Sequence, residues 1–224
     1  MIISGANLFI NNGAKATSTT NGVGNLILGY NELRPLNNNG TDPNHRTGSH
    51  CLVLGTRNNY LSAGGLVAGY QSEIGASYAS VSGGYGNTAR GIYSSVSGGT
   101  NNTASGYAAS VSGGATNTAN YYYSSISGGE NNIAGGVAAS VTGGKGNSAP
   151  GTFGSVSGGE SNSASSLASS VSGGYGNTSF RHHASVSGGQ QNTASGYYSS
   201  VSGGFNHVAL DIHDWIAGGL LQDF

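Results

Sequence analysis

The stretch SVSGGYGNTARGIYSSVSGGTNNTASGYA, residues 80–108, states one phrase twice, fifteen residues apart. Taking the apolar residue of SVSGG as a marker gives Val81, Val96, Val111, Ile126, Val141, Val156, Val171, Val186, Val201 and Ile216, every step fifteen. The register never slips. Val67 in LVAGYQS and Val53 in LVLGTRN precede this series at steps of fourteen, and each is followed by one Gly where later units have two. The fifteenth residue is therefore an insertion at the turn. Ile27 in LILGYNE and Ile10 in LFINNG read as irregular first turns, which brings the expected total to about fourteen.

A unit of fourteen or fifteen residues is too short for a helical hairpin. Its Val, Ser, Thr and Tyr content with paired glycines favours short strands joined by tight turns. Stacking such units in parallel makes an all-β fold, a parallel β-solenoid, and fourteen turns at about 4.8 Å each predict a rod roughly 65 Å long. The whole chain, 1–224, reads as one solenoid domain. Residues 1–52 form irregular first turns with an inserted loop at 34–48, 53–80 the fourteen-residue turns, 81–209 the fifteen-residue turns, and 210–224 a C-terminal cap. In that cap Trp215, Leu220, Leu221 and Phe224 are expected to shield the open end, as solenoids require.

Alternation along a strand assigns faces. In GIYSSVSGG it groups Ile92, Ser94 and Val96 as interior and Tyr93, Ser95 and Ser97 as exterior. The outer interior column then reads Ile92, Tyr107, Tyr122, Val137, Thr152, Leu167, His182, Tyr197 and Ile212. A second column, from Ala79 and Ser94 to Ser199, is always small, as a thin interior demands. On the return segment NTA, Ala89, Ala104 and their successors pack against the markers, with Ser179 the exception. The preceding Asn87, Asn102 and their successors are suited to an amide ladder, and the Gly pairs to a reversal with positive φ. Invariance inside this chain thus marks architecture, and function is sought where turns differ. Apolar burial per turn is small beside the entropy of ordering fifteen residues, so side-by-side oligomerisation through the flat, uncharged Ser-x-Ser face is expected.

Composition narrows the function. With 42 glycines but three prolines and no strict Gly triplet, the chain is not collagenous, and with 7% charged residues it lacks the usual signature of disorder. Seven basic residues, scattered singly under a net charge of -1, make no stripe for a phosphate backbone, so no nucleic-acid partner is expected. No apolar run reaches the length of a spanning helix and the N-terminus lacks a secretory signature, so the chain is read as a mature or excised module with no membrane insertion of its own. Cys51, alone, is read as a small apolar filler.

The marker in LVLGTRN and LVAGYQS, with Gly two residues on, a polar turn, and the same again after fourteen residues, resembles the head repeats of YadA-like trimeric autotransporter adhesins. The resemblance spans Val53 to about Ile216. It implies a left-handed β-roll, a homotrimer about a common axis, and display at a bacterial surface to bind host matrix or other cells. The fifteen-residue period with its Gly pair departs from that family, and the family's stalk and membrane barrel have no counterpart in the sequence.

Chemical motifs are weak. The GGYG and GGKG clusters lack the aspartates of calcium rolls and the Lys-Ser/Thr of phosphate loops. Adjacent His182 and His183 should face opposite ways on a strand, and the cluster Asp211, His213 and Asp214 reads as a polar cap. Serine recurs on every turn as a ladder, and Glu130 and Glu160 lie two turns apart, so neither a catalytic triad nor a carboxylate pair is expected. The expected protein is non-enzymatic, with no cofactor and no metal site. Aromatic and histidine side chains at the outward position, Tyr93, Tyr123, Phe153, His183 and Tyr198, are the candidates for ligand contact. The reading is an extracellular or cell-surface adhesin head, binding a glycan or protein receptor by multivalency. The alternatives are an ice-binding solenoid using the Ser-x-Ser ladders and a purely structural shaft, for example of a phage tail fibre.

Overall fold

A computed structural model of the chain describes residues 8–36 and 43–218. Two parallel sheets run its length. The first has thirteen strands among the described residues, beginning at Leu26–Leu28 and Leu52–Leu54, continuing through two-residue strands such as Ser95–Val96, and ending at Trp215–Ile216. The second has eleven, from Asn59–Tyr60 to Val208–Ala209. About eleven turns thus carry both strands, not fourteen, and Ile10 lies in no strand. Twelve steps of about 4.8 Å give a rod near 58 Å long.

Register follows the period. Val53 pairs with Val67 and Val67 with Val81 at fourteen, then Val81 with Val96 at fifteen. A third ladder of single bridges changes step between Thr56↔Tyr70 and Tyr70↔Tyr85, which puts the added residue between Val81 and Tyr85. Tyr70 donates its N–H to Gly84 O as Thr56 does to Gly69 O, so Gly84 occupies the place of Gly69 and Gly83 is the insertion. The two glycines of the pair differ. Gly84, Gly99 and their successors sit at φ near +85, whereas Gly83 and Gly98 have ordinary φ and open space where a side chain would begin.

The interior is as thin as the small columns require. Each turn from Val81 to Val186 contributes a marker Val or Ile, a second small residue, one Asn and, except at Ser179, a return Ala, all buried, as in Val96, Ala104, Ala109 and Asn102. The Asn ladder holds the turns together. Asn102 donates Nδ2–H groups to Gly98 O at 3.0 Å and Gly114 O at 2.9 Å, and its Oδ1 accepts the N–H of Asn117 at 2.9 Å. Every amide atom is therefore satisfied away from water. The ladder ends where His207 N–H bonds Asn192 Oδ1.

One expectation is overturned. The column from Ile92 to Ile212 is not inside: Ile92, Tyr107, Tyr122, Leu167, His182, Tyr197 and Ile212 are exposed, and Val137 and Thr152 are only half-buried. Alternation holds only in extended backbone. Here the strand is two residues long, and Gly91–Ile92–Tyr93 is a turn whose last residue has φ +61, so Ile92 leaves the interior and Ser94 enters it.

At the N-terminal end the flanks of the inserted loop are tied down, while 37–42 lie outside the described residues. Arg34 donates to the carbonyls of Arg57, Gln71 and Ser72, and Arg46 to those of Asn31, Glu32 and Asn58. Buried Glu73 pairs with Arg90 at 2.8 Å and lies 4.0 Å from Arg34, whose pKa burial lowers. Cys51 is buried as expected, its Sγ 3.2 Å from Ser62 O. At the other end Trp215 is two-thirds exposed and bonds Ser202 Oγ rather than covering the interior; Leu220, Leu221 and Phe224 lie outside the described residues.

Candidate functional site

The turn that displaced Ile92 forms an edge along the rod, and all five candidate side chains stand on it. Tyr93, Tyr123, Phe153, His183 and Tyr198 are exposed, each in left-handed backbone with φ between 54 and 61. Their backbone N–H groups reach back to the preceding turn, as Tyr123 N–H does to Tyr107 O at 2.8 Å, whereas strand donors such as Ser95 N–H bond forward to Ala109 O. The edge is held from both sides. Rings along it touch in two runs. Tyr78 stacks on Tyr93 at 5.4 Å and Tyr93 meets Tyr107 edge-on at 5.5 Å. Farther on, His183, Tyr198 and His213 stack at 5.1 Å between successive centroids.

Left-handed backbone is uncomfortable for a bulky residue, at roughly 1 to 2 kcal/mol each, and glycine relieves it. Besides the all-glycine column of Gly84 and Gly99, two columns of the solenoid share this conformation. At the opposite corner the column contains Gly86, Gly146 and Gly176 among polar residues such as Asn101 and Ser161. On the edge the column opens with His50 and Gly64 and then runs Tyr78, Tyr93, Ala108, Tyr123, Ala138, Phe153, Ala168, His183, Tyr198 and His213, ten turns without a glycine. Ring stacking accounts for some of these side chains. Phe153, 58% exposed, makes no ring contact among the described residues, so ring stacking does not offset its strain.

The edge also carries a notch that residue patterning alone left out. The backbone of buried Gly91 and Gly106 forms its floor, and Tyr121 occupies the same column one turn later and closes the end. Ile92, Tyr107 and Tyr122 form one side, Ser105 and Asn120 the other, around about 360 Å³. Alternation along the strand places Tyr107, Tyr122 and Ile92 in the interior and gives Tyr121 no role. Its signal is a tyrosine in the middle of a run reading Gly91, Gly106, Gly136 and Gly151, in a column that also holds Ala76, Ser166, Arg181 and Asp211.

His182 and His183 do not point to opposite faces. Both are exposed on the same turn, His182 edge-on to Tyr197 and His183 stacked on Tyr198. Among the described residues no three His, Cys, Asp or Glu side chains come together as metal ligands. Lys145 stands between Glu130 and Glu160 in the bridge ladder at the far corner, remote from the aromatic edge. No protein-family model matches this sequence, and no curated protein matches it either.

Proposed function

We propose that this chain is the binding head of a cell-surface or fibre protein, an adhesin-type module that acts without catalysis. Its ligand is a glycan or protein on another surface, met by edge side chains repeated at multiples of about 4.8 Å along a stiff rod. The observation that carries this is the edge column. Ten successive turns keep a side chain in left-handed backbone where glycine would relieve strain, and seven of the ten are aromatic or histidine. Strain retained at exposed positions is a mark of function. Many weak contacts on one rigid lattice then add through effective concentration.

The head is proposed to work as a left-handed, side-by-side homotrimer outside the cell, as its resemblance to the YadA-like repeats implies. Gly83, Gly98 and their successors as far as Gly188 support close lateral packing, because neither φ nor crowding within the chain demands glycine there. Ser82 and Ser97 beside them keep that surface small and uncharged. Mass in solution tests the assembly; a monomer at all concentrations removes it.

Binding is tested on arrays of glycans and matrix proteins and on whole cells. Wild-type protein is expected to bind at least one surface, and the variant Tyr93→Ala/Tyr123→Ala/Phe153→Ala to lose at least tenfold in avidity with an unchanged or raised Tm. Silence on every array and cell type overturns the proposal in favour of a structural shaft. The outward Ser95 and Ser97 columns keep an ice-binding reading testable by thermal hysteresis.

A further inference from the structure

We infer that the notch between Gly91 and Tyr121 is a subsite for the ring of a neutral hexopyranose. This deepens the binding reading above and rests on it. Its floor is bare where two glycines follow each other, and with the backbone as it stands a Cβ on Gly91 or Gly106 would run into the carbonyl oxygen of the next turn. The column reads Ala76, Gly91, Gly106 and Tyr121, so Tyr121 stands as a wall at the end of a two-turn trough. Its ring meets Tyr122 at 84° with centroids 5.4 Å apart, and Tyr107 lies 6.1 Å from Tyr122 at 42°. The three rings make an open aromatic corner.

A pyranose has an apolar C–H face and a rim of hydroxyls, and the notch offers a partner for each. The tyrosine corner takes the C–H face. Facing it, the side chains of Ser105 and Asn120 make no described hydrogen bond within the protein, which leaves a hydroxyl and both ends of an amide for the rim. An apolar peptide side chain would instead leave those groups dehydrated and unpaired. No charged residue lines the notch, so an acidic sugar or a phosphate finds no counter-charge. Its volume of about 360 Å³ is at the small end for ligand sites and suits a ring rather than a long chain.

The test is saturation-transfer NMR on the intact chain with methyl glycosides of glucose, galactose, mannose and N-acetylglucosamine, and with methyl glucuronide as the charged contrast. At least one neutral glycoside is expected to receive saturation at its ring C–H protons, with Kd on the order of 1 mM, ordinary for so small a ligand. Tyr121→Gly, which restores the residue found at Gly106 and Gly136 and so preserves the turn, is expected to weaken binding at least tenfold, as is Asn120→Ala. Tyr175→Ala, in the bridge ladder at the far corner, should leave the glycoside Kd unchanged. Absence of transfer from every neutral glycoside at about 50 mM, far above the expected Kd, overturns the subsite, as does transfer unaltered in Tyr121→Gly. If array binding persists in either case, only the subsite falls; the wider binding reading stands or falls on the arrays.

Discussion

Replacing Gly99 by alanine adds one methyl group where the next turn leaves no room. The residue sits at φ +85, and its new Cβ would collide with Gly114 O, come within 2.9 Å of Gly114 N and within 2.6 Å of Asn102 Nδ2. Left-handed backbone costs a non-glycine residue about 1 kcal/mol, overpacking against backbone about 1 to 3, and loosening the buried Asn102 bonds about 1 to 3 more. A loss of about 3 to 7 kcal/mol is expected, or a Tm lower by roughly 6 to 28 °C. Gly98→Ala, one residue earlier, meets nothing within 4 Å and has ordinary φ. It should be neutral or stabilise by about 0.4 to 1 kcal/mol through the unfolded chain. Circular-dichroism melts at two protein concentrations tenfold apart compare the pair, and any penalty arising between copies shows as a concentration-dependent Tm. Hydrogen exchange locates the loss, which nearest-neighbour coupling should confine to the turns around residues 95–120. A concentration-independent drop for Gly98→Ala equal to that of Gly99→Ala would refute the distinction between the two glycines, and with it the assignment of the inserted residue.

Two further outcomes follow from the interior. Ser179 replaces alanine in the return column and its buried Oγ has no partner, while Ala164 and Ala194 on either side show that alanine fits; Ser179→Ala should raise stability by about 1 kcal/mol, measured by urea unfolding. Burial raises the pKa of the Cys51 thiol, so its contribution to stability is complete below the unfolded thiol's pKa and is lost as pH rises through the folded value. Cys51→Ala should therefore flatten the alkaline fall in Tm, and in the native protein Cys51 should react with a thiol reagent only as fast as the N-terminal turns open.

The solenoid was legible because each turn repeats its own constraints. The marker valines, the return alanines and the Asn column all stand where the fifteen-residue period put them, since burial in a narrow interior and the amide ladder leave one residue type at each place. The edge was half legible. Tyr93 and Phe153 were recognised as outward by counting from the marker, but the same counting sent Tyr107 and Tyr122 inward. Alternation presumes extended backbone, and no local residue type announces the positive φ of Tyr93 or Ala108, because neither is the glycine that normally signals it. The notch was invisible for a related reason: it is made by side chains from three successive turns, and only stacking brings Ile92, Tyr107 and Tyr121 to one place. At the N-terminal end, nothing in the spacing of Arg34, Glu73 and Arg90 foretold that they would gather beneath the inserted loop.

Because every strand pairs only with the equivalent residues one period away, a gene encoding this rod can gain or lose a forty-five-nucleotide unit and leave each remaining joint chemically the same. Reach thereby becomes a heritable quantity separable from recognition: unequal crossing-over within the run from Val81 to Val201 would lengthen or shorten the projection in whole turns, while the loop-clasped beginning and the distinctive ending are inherited unchanged.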